Sequence, residues 1–425
     1  MDNRVVITGL GVCAPNGTTI DEFSDAIKKG LSGIRHQPDL EALNFSCQIA
    51  GKPVLSEERI SQYFTPLELR NLNSTGIIYG VIAGLDAWKD AGLTIENNEE
   101  PDWDSGTIFG AGTSGIDKFR WAINKIDALE IKKLGSSVVI QTMASGVSAF
   151  ISGKLGLGNQ VSTNSSACAT GAESILLAYE RIKTGQATRM LAGSTSDSGP
   201  YIWGGFDAMK VCTFKHNDEP EKGSRPMSAT ASGFVPGSGA GALVLESLES
   251  AMARKAKIYG EVIGGHINSG GQRGLGTMTA PNPTAVQRCI QTALRNAGIE
   301  AKEIDVINGH LTATTKDALE IENWKAALQL PDDDFPYINS LKGMIGHCIA
   351  ASGSIECVAS MLQLSEGFIF PNINCEDLSP EITALIDAKY IPQTLIHQPF
   401  NILAKASFGF GDINACIIFK KYTHE

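Results

Sequence analysis

The chain repeats itself, and the repeat limits what it can fold into. Cys168-Ala169-Thr170-Gly171-Ala172-Glu173 resembles Ala350-Ala351-Ser352-Gly353-Ser354-Ile355-Glu356, and both stretches open long helices after turns of small residues. Gly237-Ser238-Gly239-Ala240-Gly241-Ala242-Leu243-Val244 likewise resembles Gly409-Phe410-Gly411-Asp412-Ile413-Asn414-Ala415-Cys416-Ile417-Ile418, a Gly-rich turn feeding a buried strand in each case. Around these echoes strand-like runs alternate with helical patterns: 4–8 then 20–30, 107–110 then 116–126, 190–192 and 242–245. A break at 247–257 starts a second series: strand 258–263, helix 284–297, strand 306–308, helix 319–328, strand 337–339, helix 350–364, and a final strand pair at 402–407 and 415–419. Alternation of this kind marks an α/β protein, and two copies of one α/β unit can pair their sheets into a layered core. At 425 residues the chain exceeds what one core comfortably holds, so two halves are expected, 1–250 and 251–425.

Composition excludes several classes. With 43% hydrophobic and 19% charged residues the chain reads as an ordinary globular enzyme. Its net charge of −11 argues against a general nucleic-acid binder, which needs a basic face to displace counterions, although an acidic partner can still dock on a local basic patch. The nine cysteines include no C-x-x-C pair, which favours reduced thiols of a cytoplasmic protein over a disulfide framework or a zinc site. The N-terminus runs straight into a strand, with no signal-peptide core and no apolar run long enough to span a bilayer. Neither Gly-rich turn carries a Walker lysine or a dinucleotide spacing, so no metal or nucleotide cofactor is expected.

Chemistry concentrates at Cys168. The segment from Val161 is β-prone, passes through small residues, and enters a helix with Ile175, Tyr179 and Ile182 on one face. That order sets a thiol at a helix N-terminus, where unpaired N–H groups and the macrodipole favour a thiolate, the nucleophilic form. Three further segments could meet it: Asn308-Gly309-His310-Leu311-Thr312-Ala313-Thr314, Asn339 to His347 with Lys342, and Ala406-Ser407-Phe408-Gly409-Phe410-Gly411-Asp412. All lie at strand-to-loop ends, where open α/β sheets collect their sites. Only seven histidines occur, and two of them stand at equivalent junctions of the second half. Cys348, beside His347, reads as a packing residue.

Together with Arg4-Val5-Val6-Ile7-Thr8-Gly9-Leu10-Gly11-Val12, Ser224-Arg225-Pro226 and Gly233-Phe234-Val235, these blocks resemble the β-ketoacyl-[acyl-carrier-protein] synthases, condensing enzymes of the thiolase superfamily, over nearly the whole chain. The resemblance implies the five-layered α-β-α-β-α thiolase fold and a decarboxylative condensation. It implies that Cys168 takes the acyl chain as a thioester, and that His310 and His347 donate to the oxygen of the enolate left by malonyl decarboxylation. Backbone N–H groups of Cys168 and Phe410 would form the oxyanion hole. Lys342 and Glu356 match a supporting pair that holds His310, and Thr312 and Thr314 the malonyl-facing hydroxyls, with Thr279 a weaker match. Phe410 and Phe408 would gate the site. Acyl groups would arrive on the phosphopantetheine of an acyl-carrier protein or on coenzyme A, with no resident cofactor or metal. Arg70, Lys132, Lys133, Lys210 and Lys215 fall near the carrier-docking positions. A homodimer is implied, with a heterodimer beside a ketosynthase-like subunit as the alternative.

Some residues depart from the pattern: Leu311 replaces a usual Gly, Asp412 and Ile413 a usual Gly-Thr, and Ser228, Ala231 and Ser232 a mostly charged stretch. Bulk beside a histidine and charge beside the gate suggest a specialised polyketide or polyene enzyme. A thiolase is disfavoured because the Phe408–Asp412 turn lacks a second cysteine, a non-catalytic chain-length partner because Cys168 is present, and a cysteine hydrolase because it would not need the second histidine or the lysine.

Overall fold

A computed structural model describes residues 2–95, 99–331 and 333–423. The first half runs β1 (Val5–Cys13), α1 (Thr75–Asp90), β2 (Ser105–Ala111), α2 (Gly146–Leu155), β3 (Val161–Ser162), α3 (Thr170–Lys183), β4 (Arg189–Ser196) and β5 (Gly239–Ser247). The second runs β6 (Gly260–Ser269), α4 (Pro283–Ala297), β7 (Val306–Asn308), α5 (Asp317–Leu328), β8 (Tyr337–Asn339), α6 (Ser352–Glu366), β9 (Ile402–Gly409) and β10 (Ile413–Lys420). Ten strands form one sheet in the order β8-β7-β9-β10-β6-β1-β5-β4-β2-β3. Each half therefore contributes the same five-strand order with the same mixture of parallel and antiparallel pairings. They join where Val5 and Ile7 of β1 pair with Val262 and Gly260 of β6.

Side-chain alternation sets the layers. Leu243 and Leu245 of β5 and Met190 and Ala192 of β4 face the core around α3 and α6, while Ala242, Val244 and Leu191 face α1 and α2. In the second half Val306, Leu403 and Ile417 face the same central helices, and Ile307, Ala404 and Ile418 face α4 and α5. The result is α, β, α, β, α, with α3 and α6 in the middle layer. Strands covered on both faces read as continuous small and apolar runs, which is why β1 is buried throughout.

The central helices cross on glycines. A Cβ at Gly171 would lie 2.3 Å from the Ser354 nitrogen, and one at Gly353 would lie 2.7 Å from the Ala172 nitrogen. Ser194 Oγ reaches Ala350 O at 2.8 Å and Ser354 Oγ at 2.7 Å across the same crossing. Each helix follows a 3₁₀ turn, Ala167–Ala169 or Ile349–Ala351, that starts on a left-handed residue, Ala167 (φ 49°) or Ile349 (φ 52°).

Helices α1 and α2 leave no sign in the sequence. Helix α1 is buried on most sides and so shows little amphipathic period, and its glycines serve contact, since a Cβ at Gly80 would sit 2.4 Å from Val147 Cγ2 of α2. The break expected at 247–257 holds a short helix, Leu248–Ala253.

Candidate active site

The turn between β3 and α3 presents the sulfur. Thr170 Oγ1 accepts the Ser166 N–H (2.8 Å) and donates to Ala167 O (2.6 Å), while Asn164 Nδ2 donates to Thr170 O (3.0 Å) and Glu173 Oε2 (2.8 Å). This network holds Ala167 in its left-handed conformation and aims Cys168 at the second half. A residue that is not glycine keeps such a backbone only where its surroundings enforce it. Cys168 is nearly buried, and burial pushes its thiol up to about 11. The Lys342 ammonium and the backbone N–H groups of Phe410 and Cys168 oppose that rise without cancelling it. The expected helix-end thiolate is thus corrected to a resting neutral thiol, because desolvation outweighs the helix end.

Both histidines face this sulfur: the sulfur and one imidazole nitrogen from each of His310 and His347 lie within 4.8 Å of one another. The two rings stand edge to face, 5.4 Å apart and at 84°. His347 follows Gly346 (φ 71°), and its N–H donates to Val235 O at 2.7 Å. Its Nδ1 accepts the Ile349 N–H at 3.1 Å and meets Ser352 Oγ at 2.9 Å, which leaves the proton on Nε2 as a donor. His310 leaves β7, and its Nδ1 has no hydrogen-bond partner among the described residues. Burial, Lys342 and Lys405 hold both imidazoles well below their usual range, with His347 adding to the effect on His310, so both rings are neutral.

Beneath them lies a fully buried ionic group. Glu356 on α6 takes Lys342 Nζ on Oε1 and has Lys405 Nζ 2.8 Å from Oε2. Sequence reasoning paired Lys342 with Glu356 but missed Lys405, a lysine among alanines on a buried strand. It also missed two carboxylates of α5. Glu320 accepts the N–H groups of His310 (2.6 Å) and Leu311 (2.7 Å), and Asp317 those of Thr312, Ala313 and Met227. Burial lifts Glu320 to about 7 and Asp317 to about 6 against those hydrogen bonds.

A cavity of about 410 Å³ leads to Cys168, His310 and His347, and Phe206, Phe234 and Phe410 line it. Thr279, Thr312 and Thr314 line it too, with the last two hydroxyls 3.2 Å apart. Phe408 packs on His310 at 6.1 Å, and Phe410 on Phe206 at 6.2 Å. Of the proposed docking residues only Lys210 lines the cavity; Lys316, unforeseen, joins it there. Lys215 lines a neighbouring cleft with Phe214 and Arg225, Lys133 is paired to Glu130, and Arg70 and Lys132 are exposed away from the cavity lining. Leu311 does not crowd the site as expected; it is wholly buried in the core between β7 and α5. Asp412 (φ 63°) is buried, and its carboxylate accepts the N–H groups of Gln272 (3.0 Å) and Asn282 (2.8 Å), so it staples the 270–282 segment to the gate turn.

A thiol, two neutral imidazoles and two backbone N–H groups at the end of an apolar cavity can form a thioester and hold negative charge on oxygen. Among the described residues the Cys168–His310–His347 group could also approach a metal ion, but two buried ammonium groups beside it oppose a cation.

Comparisons with known proteins agree with one another on the family. The profile of the beta-ketoacyl synthase N-terminal domain matches residues 2–251, and that of the C-terminal domain residues 259–376. A 3-oxoacyl-[acyl-carrier-protein] synthase 2 of Vibrio harveyi is 33% identical over 98% of this chain and 98% of its own length. A 3-oxoacyl-[acyl-carrier-protein] synthase 1 of Haemophilus influenzae is 33% identical over 99% of each. Among solved structures, a beta-ketoacyl synthase from Burkholderia phymatum STM815 superposes with a TM-score of 0.89 at 29% identity, covering 99% of this chain and 100% of that one. The ishigamide ketosynthase/chain length factor superposes at 0.87 and 27% identity over all of both chains. With the duplicated thiolase fold, the Cys168–His310–His347 cluster and these matches together, the chain belongs to the beta-ketoacyl synthase family.

Proposed function

We propose that this chain catalyses decarboxylative condensation of an acyl thioester with malonyl-acyl-carrier protein, giving a 3-oxoacyl-acyl-carrier protein in fatty-acid or polyketide elongation. The observation that carries this is the convergence of the Cys168 sulfur and both imidazoles within 4.8 Å. Cys168 attacks the incoming acyl carbonyl, gives up its proton to the neighbouring imidazole or the departing carrier thiolate, and becomes the acyl-enzyme. A neutral thiol at rest keeps a buried thiolate from forming before substrate arrives. Malonyl thioester then enters with its carbonyl oxygen toward His347 Nε2–H and His310. The bond to the carboxylate breaks, carbon dioxide leaves, and the electron pair passes into an enolate whose oxygen the imidazoles hold. The enolate carbon attacks the acyl-Cys168 carbonyl, the N–H groups of Cys168 and Phe410 take the oxyanion, and collapse expels the Cys168 sulfur as a thiolate, which takes up a proton from solvent to restore the resting thiol. Donors aimed at charge that exists only in the transition state raise the rate without tightening ground-state binding.

The acyl groups come on the phosphopantetheine of a carrier protein or on coenzyme A, and the enzyme keeps no cofactor of its own. Lys210 and Lys316 at the cavity mouth favour an acidic carrier. No described helix is long and apolar enough to cross a membrane; the nine cysteines are all free thiols, which favours a reducing, cytoplasmic setting. Strand β3 is an edge of the sheet, and Phe119, Trp121, Ile123, Val139, Ile140 and Val161 are exposed among the described residues. An open edge that carries the exposed Val161, together with exposed apolar side chains elsewhere, suits pairing with a second subunit. The subunit is a second copy in the primary reading. A heterodimer is the second, favoured by the likeness to the ishigamide ketosynthase/chain length factor.

Intact-mass analysis after incubation with a panel of saturated, unsaturated and aryl acyl-carrier proteins tests both chemistry and pathway. The expected result is an acyl adduct on Cys168, discharged as a 3-oxoacyl product with carbon dioxide release once malonyl-carrier protein is added. C168A must lose adduct and product. Condensation surviving in C168A would overturn the assignment, and preference for medium saturated chains would exclude a specialised pathway.

A further inference from the structure

Lys405 sits at the middle of β9 with no exposed surface, and neither Glu356 nor, within 1%, Lys342 has any. Its ammonium donates to Ala406 O and Ser407 Oγ (the latter 3.1 Å). It also stands 2.8 Å from Glu356 Oε2, in an ionic contact outside hydrogen-bond geometry. Lys342 already occupies the other oxygen of that carboxylate. Glu356 and Lys342 form a neutral pair without help, so Lys405 adds a positive charge to a dry core, at a desolvation penalty. Burial and Lys342 do most to keep both imidazoles uncharged, and the field of this charge reaches them and adds to the effect.

During decarboxylation negative charge moves from the malonyl carboxylate to the thioester oxygen between the histidines. Positive charge fixed behind those histidines favours the end of that movement over its start, and it needs no reorganisation at the moment of reaction. Lys405 also lies on the strand that runs into Phe408 and Phe410, so its grip on Glu356 ties α6, which follows His347, to the gate turn.

We propose that Lys405 is a positioning residue for the decarboxylation half-reaction: it clamps Glu356 and through it Lys342, and supplies fixed positive charge behind His310 and His347. This rests on the condensing-enzyme reading above. The test uses full-length wild type, K405M and K405A, and measures three quantities: acyl loading of Cys168 by mass, and kcat and KM for malonyl-acyl-carrier protein decarboxylation. If wild type neither loads nor decarboxylates, the functional reading itself fails. If it does both, K405M is expected to load at the wild-type rate, keep KM within about twofold, and lose roughly tenfold or more in kcat. Methylammonium is expected to restore part of the loss in K405A, where it can refill the vacated site, and nothing in K405M. Decarboxylation by K405M within about twofold of wild type would overturn the proposal, as would equal loss of loading and decarboxylation. If the single variants lose their fold, K405M/E356Q removes the stranded carboxylate as well. Measured against E356Q, it must show the same selective fall in kcat; identical values for the two would again overturn the proposal.

Discussion

Replacing Gly171 by alanine should damage catalysis more than stability. The added Cβ would lie 2.3 Å from the Ser354 nitrogen and 2.6 Å from Ser194 Oγ. Ser194 can rotate, but the Ser354 nitrogen belongs to the first turn of α6 and cannot. Reaching ordinary contact near 3.4 Å requires α3 and α6 to part by the difference, about 1.1 Å. Overpacking of this kind costs about 1–3 kcal/mol. For 425 residues at about 2.1 cal/mol/K each, the unfolding entropy is roughly 0.9 kcal/mol/K, so about 2 kcal/mol lowers Tm by only about 2 °C. The site feels the shift directly. Cys168 lies one turn before Gly171, and His347 is held by Ile349 N–H and Ser352 Oγ at the start of α6. A displacement of about 1 Å between reacting groups lowers turnover by roughly a hundredfold. Condensation kcat, with Tm by calorimetry, measures both effects. G353A, whose Cβ would meet the Ala172 nitrogen at 2.7 Å, should follow with a smaller loss. G153A, in α2 with nothing within 4 Å, should be silent or slightly stabilising. Turnover of G171A within about threefold of wild type, or equal impairment of G153A, would refute this coupling of helix spacing to catalysis.

Three further outcomes follow from the same geometry. Alkylation of Cys168 by iodoacetamide in the resting enzyme should still be accelerating above pH 9 and level off only near pH 11, since burial raises the thiol from 9.0 to about 11; a plateau by pH 8 would contradict a buried neutral thiol. Glu320 is raised from 4.5 to about 7, so the folded protein holds a proton that the unfolded chain releases, and this stabilisation is present below about pH 4.5 and lost as pH rises to about 7. E320Q, which cannot ionise, should flatten that part of the denaturation-derived stability profile and reduce turnover, because only one of the His310 and Leu311 N–H groups keeps an acceptor; an unchanged slope would refute the assignment. D412G should speed hydrogen exchange at the Gln272 and Asn282 amides while leaving the Cys168 turn protected, and equal exchange in both proteins would show that the carboxylate is not the staple.

Much of this architecture was legible in the chain itself. Strands 306–308 and 337–339 appear residue for residue, because each is a short apolar run closed by Asn and a turn, and the echo at Cys168 and Ala350 marks the two central helices. Helices α1 and α2 escaped because periodicity reports an exposed face and most of α1 has none, and because Gly76, Gly80 and Gly84 suggest turns in a sequence but act as contact points in the fold. Cys168, His310, His347, Lys342 and Glu356 stand out as ordered blocks, and the structure gathers them. Lys405 does not, because nothing around it distinguishes a buried ammonium from a surface lysine until Glu356 is brought alongside. Asp317 and Glu320 work on backbone N–H groups, which leave no mark in sequence. The acidity of Cys168 is misread for a related reason: a helix start is local, whereas burial is decided by the whole fold.

The duplication also explains how one architecture makes an asymmetric site. Both halves build the same turn into a central helix, with Ala167 and Ile349 in the same left-handed conformation. In the first half the next residue is Cys168, and the turn presents a nucleophile. In the second the next residue is Ala350, and the turn serves a different end. Its Ile349 N–H and Ser352 Oγ engage His347 Nδ1 and leave the other ring nitrogen as the proton donor. A strained backbone that aims a sulfur in one copy thus fixes an imidazole tautomer in the other, and the glycine crossing at 171 and 353 keeps the two turns in register. Because the two groups are carried by opposite sides of one helix–helix contact, their separation depends on how closely those helices pack. That is why a methyl group at that crossing should reach the chemistry before it reaches the stability of the fold.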